Sequence, residues 1–321
     1  MIEKTSRPRR ARDDGRGNSA TTTASARASA PPPAASRRTR TLDGLAASAP
    51  RRTGRAAVGA VSALPEVTIS EDGQARYLHL GTPWVQGSMR LDAPFDIDLD
   101  YVQRMMAWLL FADPARVPRL HAMQLGLGAA ALTKFSHKRL RMRTTAVEIN
   151  PQVVAICRAW FKLPPDGERL QVLLADAGQL VAEPTWQGQV DALQVDLYDH
   201  DAGAPVLDSP DFYADCRRLL TDDGCMTVNL FGRTGSYARS LAHIVQAFGA
   251  DAVWTFRPTR EGNTVVLAQS TVQRPAPDEL ARRADLIEQR WKLPARKWLR
   301  VFKPADVEPG LTRDADLSLI H

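Results

Sequence analysis

The sequence lacks a thiol or metal framework. Its three cysteines, Cys157, Cys216 and Cys225, are odd in number and show no C-x-x-C spacing, so they read as buried thiols in a reducing cytoplasm. The six histidines form no H-x-x-x-H pair, and no metal is expected. No apolar run approaches the roughly 18 residues that would span a bilayer, which points to a soluble, cytoplasmic protein with no membrane partner. The Lys-Ser/Thr of a phosphate-binding P-loop is absent too, which disfavours ATP.

Acidic residues are scarce at one end. Residues 1–60 hold 13 Lys/Arg against 4 Asp/Glu, a net +9, whereas the whole chain of 321 residues carries +6, so residues 61–321 are slightly acidic at −3. The high isoelectric point therefore belongs to the tail, and the folded part has no electrostatic support for nucleic acid. That tail is rich in Arg, Ala, Ser, Thr and Pro and nearly free of large apolar residues. It cannot bury enough surface to offset chain entropy, and disorder is expected over 1–60. It also has no apolar h-region, so it does not read as a secretory signal.

The remainder divides by pattern. Residues 61–118 read as a small antiparallel β subdomain with a linking helix. Val67-Thr68-Ile69 and Arg76–Leu80 flank the hairpin signal Asp72-Gly73, a further strand is expected at Trp84-Val85-Gln86, and Asp100–Phe111 has helical spacing with Met105, Met106, Leu109 and Leu110 inward. Residues 119–273 alternate strands and helices, as a mostly parallel doubly wound sheet requires. The turn Asp222-Asp223-Gly224 is expected to lead into a strand from Cys225 to Leu230. Residues 274–321 read as a helical extension, with a helix from Pro277 to Trp291. A basic stretch with Trp291 and Trp298 then follows, more consistent with tryptophans packed on the domain than with a nucleic-acid surface.

One stretch organises this pattern, His121 to Asn150. A short apolar strand ends in Gly126-Leu127-Gly128, a helical run covers Ala129 to His137, and a second strand ends in Glu148, 20 residues after Gly128. Strand, glycine turn, helix, strand and acid suit a nucleoside, because glycines admit close backbone approach and a carboxylate can accept both ribose hydroxyls. Ala131 stands where a third glycine would complete G-x-G-x-x-G. The next strand ends in Ala175-Asp176-Ala177, where Asp176 could accept from an adenine amine. The fourth ends in Asp196, followed by Asp199 and Asp201. Clustered carboxylates raise one another's pKa and favour a cationic amine, which must lose a proton before it attacks carbon. An adenosylsulfonium, itself cationic, would be tolerated beside them.

Gln86 in Val85-Gln86-Gly87-Ser88, the Gly126-x-Gly128 turn, Val147-Glu148-Ile149, Ala175-Asp176-Ala177, and Asp196-x-x-Asp199 followed by Phe212-Tyr213 resemble the spermidine synthase (polyamine aminopropyltransferase) family, over roughly residues 64–270. The resemblance implies a seven-stranded methyltransferase-like Rossmann domain behind an N-terminal β-sheet subdomain. It also implies transfer of an aminopropyl group from decarboxylated S-adenosylmethionine to a small-molecule amine, without metal. By that likeness Gln86, Gly126, Gly128, Glu148 and Asp176 bind the donor, Glu148 on the ribose and Asp176 on the adenine. Asp196 is the base on the attacking amine, and Tyr101 and Asp199 hold the polyamine. The likeness also suggests a homodimer. Two positions depart from the family: Ala129-Ala130 replace its glycine-loop aspartate, and Tyr101-Val102-Gln103 replaces its Tyr-His-Glu. Two rival readings stay open, an S-adenosylmethionine-dependent methyltransferase and a nucleoside-binding protein without catalysis.

Overall fold

The computed structural model describes residues 64–197, 207–231 and 234–305. The tail expected over 1–60 lies outside the described residues, as do Asp199 and Asp201. Strands β1 (Val67–Glu71), β2 (Ala75–Leu80) and β3 (Gly87–Arg90) form an antiparallel three-stranded sheet. Asp72 closes its hairpin, its Oδ1 accepting from the N–H groups of Gln74 (3.0 Å) and Ala75 (2.9 Å). The third strand begins after the expected Trp84-Val85-Gln86, because Leu78 pairs with Gly87; Trp84 is left 67% exposed.

Helix α1 (Asp100–Arg104) stops short of the expected Phe111. Every residue from Met105 to Phe111 is buried, so this run has no polar face to keep an amphipathic helix in register, and the chain tightens into a 3-10 turn at Ala107–Leu110. The larger sheet follows: β4 (His121–Leu125), β5 (Arg143–Glu148), β6 (Leu170–Leu174), β7 (Val190–Val195), β8 (Leu220–Phe231), β9 (Val253–Phe256), β10 (Asn263–Gln269) and β11 (Phe302–Pro304). Its order is β11-β9-β10-β8-β7-β4-β5-β6, with β4 to β8 parallel and β10 antiparallel to β8.

Eight strands stand where the sequence implies seven, since Phe302–Pro304 adds itself to the β9 edge. The expected turn at Asp222-Asp223-Gly224 instead lies inside β8 as a bulge: Val190 pairs with Leu220, and the next partners are Ala192 and Cys225. The intervening helices are α2 (Ala131–Lys134), α3 (Pro151–Trp160), α4 (Ala177–Val181), α5 (Pro210–Leu219), α6 (Thr234–Phe248), α7 (Pro277–Trp291) and α8 (Ala295–Trp298). Here too the expected run from Ala129 divides, α2 widening into a π turn at Phe135–Arg139.

Caps start several helices where the sequence asks for them. Asn150 accepts from Gln152 N–H with Pro151 in the first turn, and Ser209 accepts from Phe212 N–H ahead of Pro210. Trp291 and Trp298 are buried, 7% and 1% exposed, in the core shared by α7, α8 and the sheet. The three cysteines are buried free thiols. Among the described residues no helix is long and apolar enough to cross a membrane.

Candidate active site

The sheet order changes direction at β4, which pairs with β5 on one side and β7 on the other. A crevice opens outside the carboxyl ends of strands at such a point. Gly126 turns the chain there with φ +83°, its N–H bonded to Val147 O at 2.9 Å. A Cβ at this position would run into the carbonyl oxygen of Asp196, whose own N–H donates to Leu125 O at 3.0 Å. Glycine is thus demanded twice, by the dihedral and by the neighbour.

The turn is braced from below by Gln124, buried in β4. Its Nε2 donates to Gly126 O (2.6 Å) and its Oε1 accepts from the Thr133 hydroxyl. From above, β3 closes on it. A Cβ on Gly87 would stand 2.7 Å from both Cβ and N of Ala129, and one on Gly128 3.2 Å from Gln86 O.

Between these walls lies a narrow cavity of about 20 Å³, lined among others by Gln86, Ser88, Tyr101, Gly128, Ala129 and Asp196. That volume admits small groups such as amines or water, not a nucleoside. The structure thus brings Gln86, Tyr101, Gly128 and Asp196 together, with Gly126 packed behind Asp196. Glu148 and Asp176 do not line the cavity; they form a rim beside it, Glu148 joined to the cavity wall through Leu127 N–H and Asp176 following Ala175, whose N–H donates to Glu148 O.

Asp196 is the most polarised group in the cavity. Asn229 Nδ2 donates to its Oδ1 at 2.9 Å, and the Tyr101 hydroxyl lies 3.4 Å from its Oδ2. Burial pushes its pKa up to about 6, and the two hydrogen bonds only partly offset that rise. Asn229 is in turn held by Asn263, whose Nδ2 donates to its Oδ1 at 3.1 Å. Asn229 and Gln124 were not singled out from sequence. Asn229's sequence signal is an amide set between Val228 and Leu230 near the end of β8.

The rim carboxylates are gripped by backbone instead. Glu148 accepts from Leu127 N–H at 2.9 Å on one oxygen and from Asn150 N–H at 2.8 Å on the other; burial nevertheless raises its pKa. Asp176 caps α4, its Oδ1 accepting from Gly178 (2.7 Å) and Gln179 (3.1 Å) N–H groups. Each retains lone pairs for an incoming hydroxyl or amine. The rim is continuous, since Ala175 N–H donates to Glu148 O at 3.1 Å. Ile149 and Leu174, 53% and 58% exposed, give it apolar surface.

No protein-family model matches the chain. The polyamine aminopropyltransferases of two Neisseria meningitidis strains, of serogroups A and B, are each 35% identical to it over 253 residues, 78% of this chain and 94% of theirs. That of Chromobacterium violaceum is 35% identical over 236 residues, 73% of this chain and 88% of its own. Among solved structures, a probable spermidine synthase of Corynebacterium glutamicum superposes with a TM-score of 0.58 at 17% identity, over 73% of this chain and 87% of its own. Human methyltransferase-like protein 13, solved in complex with SAH, does so with a TM-score of 0.55 at 22% identity, over 66% and 97%.

Proposed function

The chain belongs to the polyamine aminopropyltransferase family, and from that premise we propose that it moves an aminopropyl group from decarboxylated S-adenosylmethionine to a small polyamine by in-line displacement, with Asp196 as base. The observation that carries this reading is the cavity itself. It is too narrow for a nucleoside but takes small amine groups, and its one lining carboxylate has a pKa lifted to about 6 by burial.

Glu148 would receive the ribose diol and Asp176 the adenine amine, with Ile149 beside the base. Gln86 Nε2, buried and without a hydrogen-bond partner, suits an acceptor brought by the donor. The reaction then balances simply. The amine lone pair forms a bond to the propyl carbon, the C–S bond breaks, sulfur keeps the electron pair as neutral methylthioadenosine, and the amine's proton passes to Asp196. Holding nitrogen, carbon and sulfur in line accounts for most of the acceleration. Asp199 would join the polyamine side.

Ala129, Val102 and Gln103 favour a second reading, because no carboxylate or imidazole stands at those positions: the rim could equally serve intact S-adenosylmethionine in methyl transfer. Calorimetry with methylthioadenosine, the decarboxylated donor and the intact donor separates the two, together with mass spectrometry of products from diamines and triamines. Tightest binding of the decarboxylated donor and an aminopropylated product are expected. Preference for the intact donor would replace this reading with methyl transfer, and nucleoside binding without product would leave a protein that has lost catalysis.

A further inference from the structure

The decarboxylated donor carries two positive centres, the sulfonium and a primary ammonium three carbons away. A cation in a narrow, half-dry cavity is costly without a counter-charge. Asp196 is committed to the attacking nitrogen. Glu148, which meets the cavity wall only through Leu127 N–H, is committed to the ribose.

Among the described residues that line the cavity, and their hydrogen-bond partners, one further carboxylate remains. Ser88 lines the wall, is 3% exposed, and donates its hydroxyl to Asp98 Oδ2 at 2.7 Å. Ser88 follows Gly87, where an added Cβ would stand 2.7 Å from Ala129 of the glycine turn. The pair therefore stands on the β3 wall of the cavity, against the glycine turn, where Ala129 itself offers no charge. The hydroxyl's orientation matters. Because Ser88 gives its proton to Asp98, its own lone pairs are available to an N–H donor arriving in the cavity.

Resting on the aminopropyl-transfer reading above, we propose that Ser88 and Asp98 form the receptor for the donor's primary ammonium. Ser88 Oγ accepts an ammonium N–H, and Asp98 behind it supplies the balancing charge. The same arrangement disfavours the intact donor, whose carboxylate sits on the carbon bearing that ammonium and would face Asp98 with like charge. Asp98 is thus a specificity determinant, selecting the decarboxylated donor by attraction and excluding the intact one by repulsion.

The test is calorimetric titration of the full-length protein and of the Asp98→Asn and Ser88→Ala variants, each checked for folding by circular dichroism, with three probes: decarboxylated donor, intact donor and methylthioadenosine, which has no ammonium. Asp98→Asn is expected to weaken the decarboxylated donor about tenfold, to leave methylthioadenosine within about twofold, and to narrow the preference over the intact donor. Ser88→Ala is expected to move the same way by less, and it keeps the test decisive should Asp98→Asn not fold. Unchanged binding of the decarboxylated donor in the folded variants would overturn the assignment alone, as would equal weakening of all three probes. A wild type that does not prefer the decarboxylated donor would overturn this inference together with the reading it rests on.

Discussion

The carboxylates of this molecule are held in two different ways. At the β7 end, Asp196 is held by side chains reaching in from α1 and β8, and burial has lifted its pKa to about 6. At the β5 and β6 ends, Glu148 and Asp176 are held by backbone N–H groups of the turns beside them. A carboxylate fixed by backbone is a receptor of constant shape. Burial penalises the charge of Glu148 too, so what sets Asp196 apart is its place in the cavity, where a phenol and an amide hold it and its pKa of about 6 suits it to taking up a proton. In the proposed function that difference assigns chemistry to the β7 end and the nucleoside to the β5 and β6 ends.

The sharpest way to break this division is Asp196→Asn, expected to lower turnover about 10²- to 10⁴-fold while nucleoside affinity stays within a few-fold; product mass spectrometry and calorimetry read the two. Equal loss of both in a folded variant would abolish the distinction. Next in size is Gly126→Ala, which drives a methyl into the Asp196 carbonyl at a positive φ. It should cost about 2–4 kcal/mol in urea unfolding, because the two regions meet at that atom.

Asp176→Asn keeps the cap but turns one oxygen into a donor. It should weaken nucleoside binding about tenfold with stability nearly unchanged; a stability loss without an affinity loss would make Asp176 a cap and nothing more. A smaller effect is expected from Asn229→Ala, which removes a donor from the ionised form of Asp196. The acid limb of the rate profile, expected near pH 6 in the wild type, should move upward by about one unit or less.

Stability should carry the same mark. Asp196 ionises near its usual 3.8 in the unfolded chain and near 6 in the folded one, so the native state keeps that proton longer. Relative to Asp196→Asn, the wild type should lose stability as pH rises from about 4 to about 6 and then level off, as denaturant titrations across that range would record.

Much of the rim was legible because its cues are local. Gly126, Glu148 and Asp176 each sit at a strand end, next to a cap or turn that the sequence spells out, and Asn150-Pro151 and Ser209-Pro210 mark the helices that follow. What escaped depends on distance along the chain: Asn229 itself, and the pairing with Asp196 of Tyr101, a residue named by likeness for the polyamine. Asn229 reaches Asp196 from 33 residues away and Tyr101 from 95, and neither pairing has a periodic signature. The Asp100–Phe111 run misled because burial on all sides overrides helical spacing. At Asp222-Asp223-Gly224, turn-forming residues serve as a bulge once β7 fixes the register on either side.

The contact between Gly126 and the Asp196 carbonyl also limits how this enzyme could be altered. With no gap between the glycine turn and the end of β7, the two cannot drift apart or be tuned one at a time by backbone adjustment. Any new acceptor or donor would have to be accommodated by side chains on the surrounding walls, and even there Gly87 of β3 is held by its approach to Ala129 and Tyr101 of α1 by its bond to Asp196.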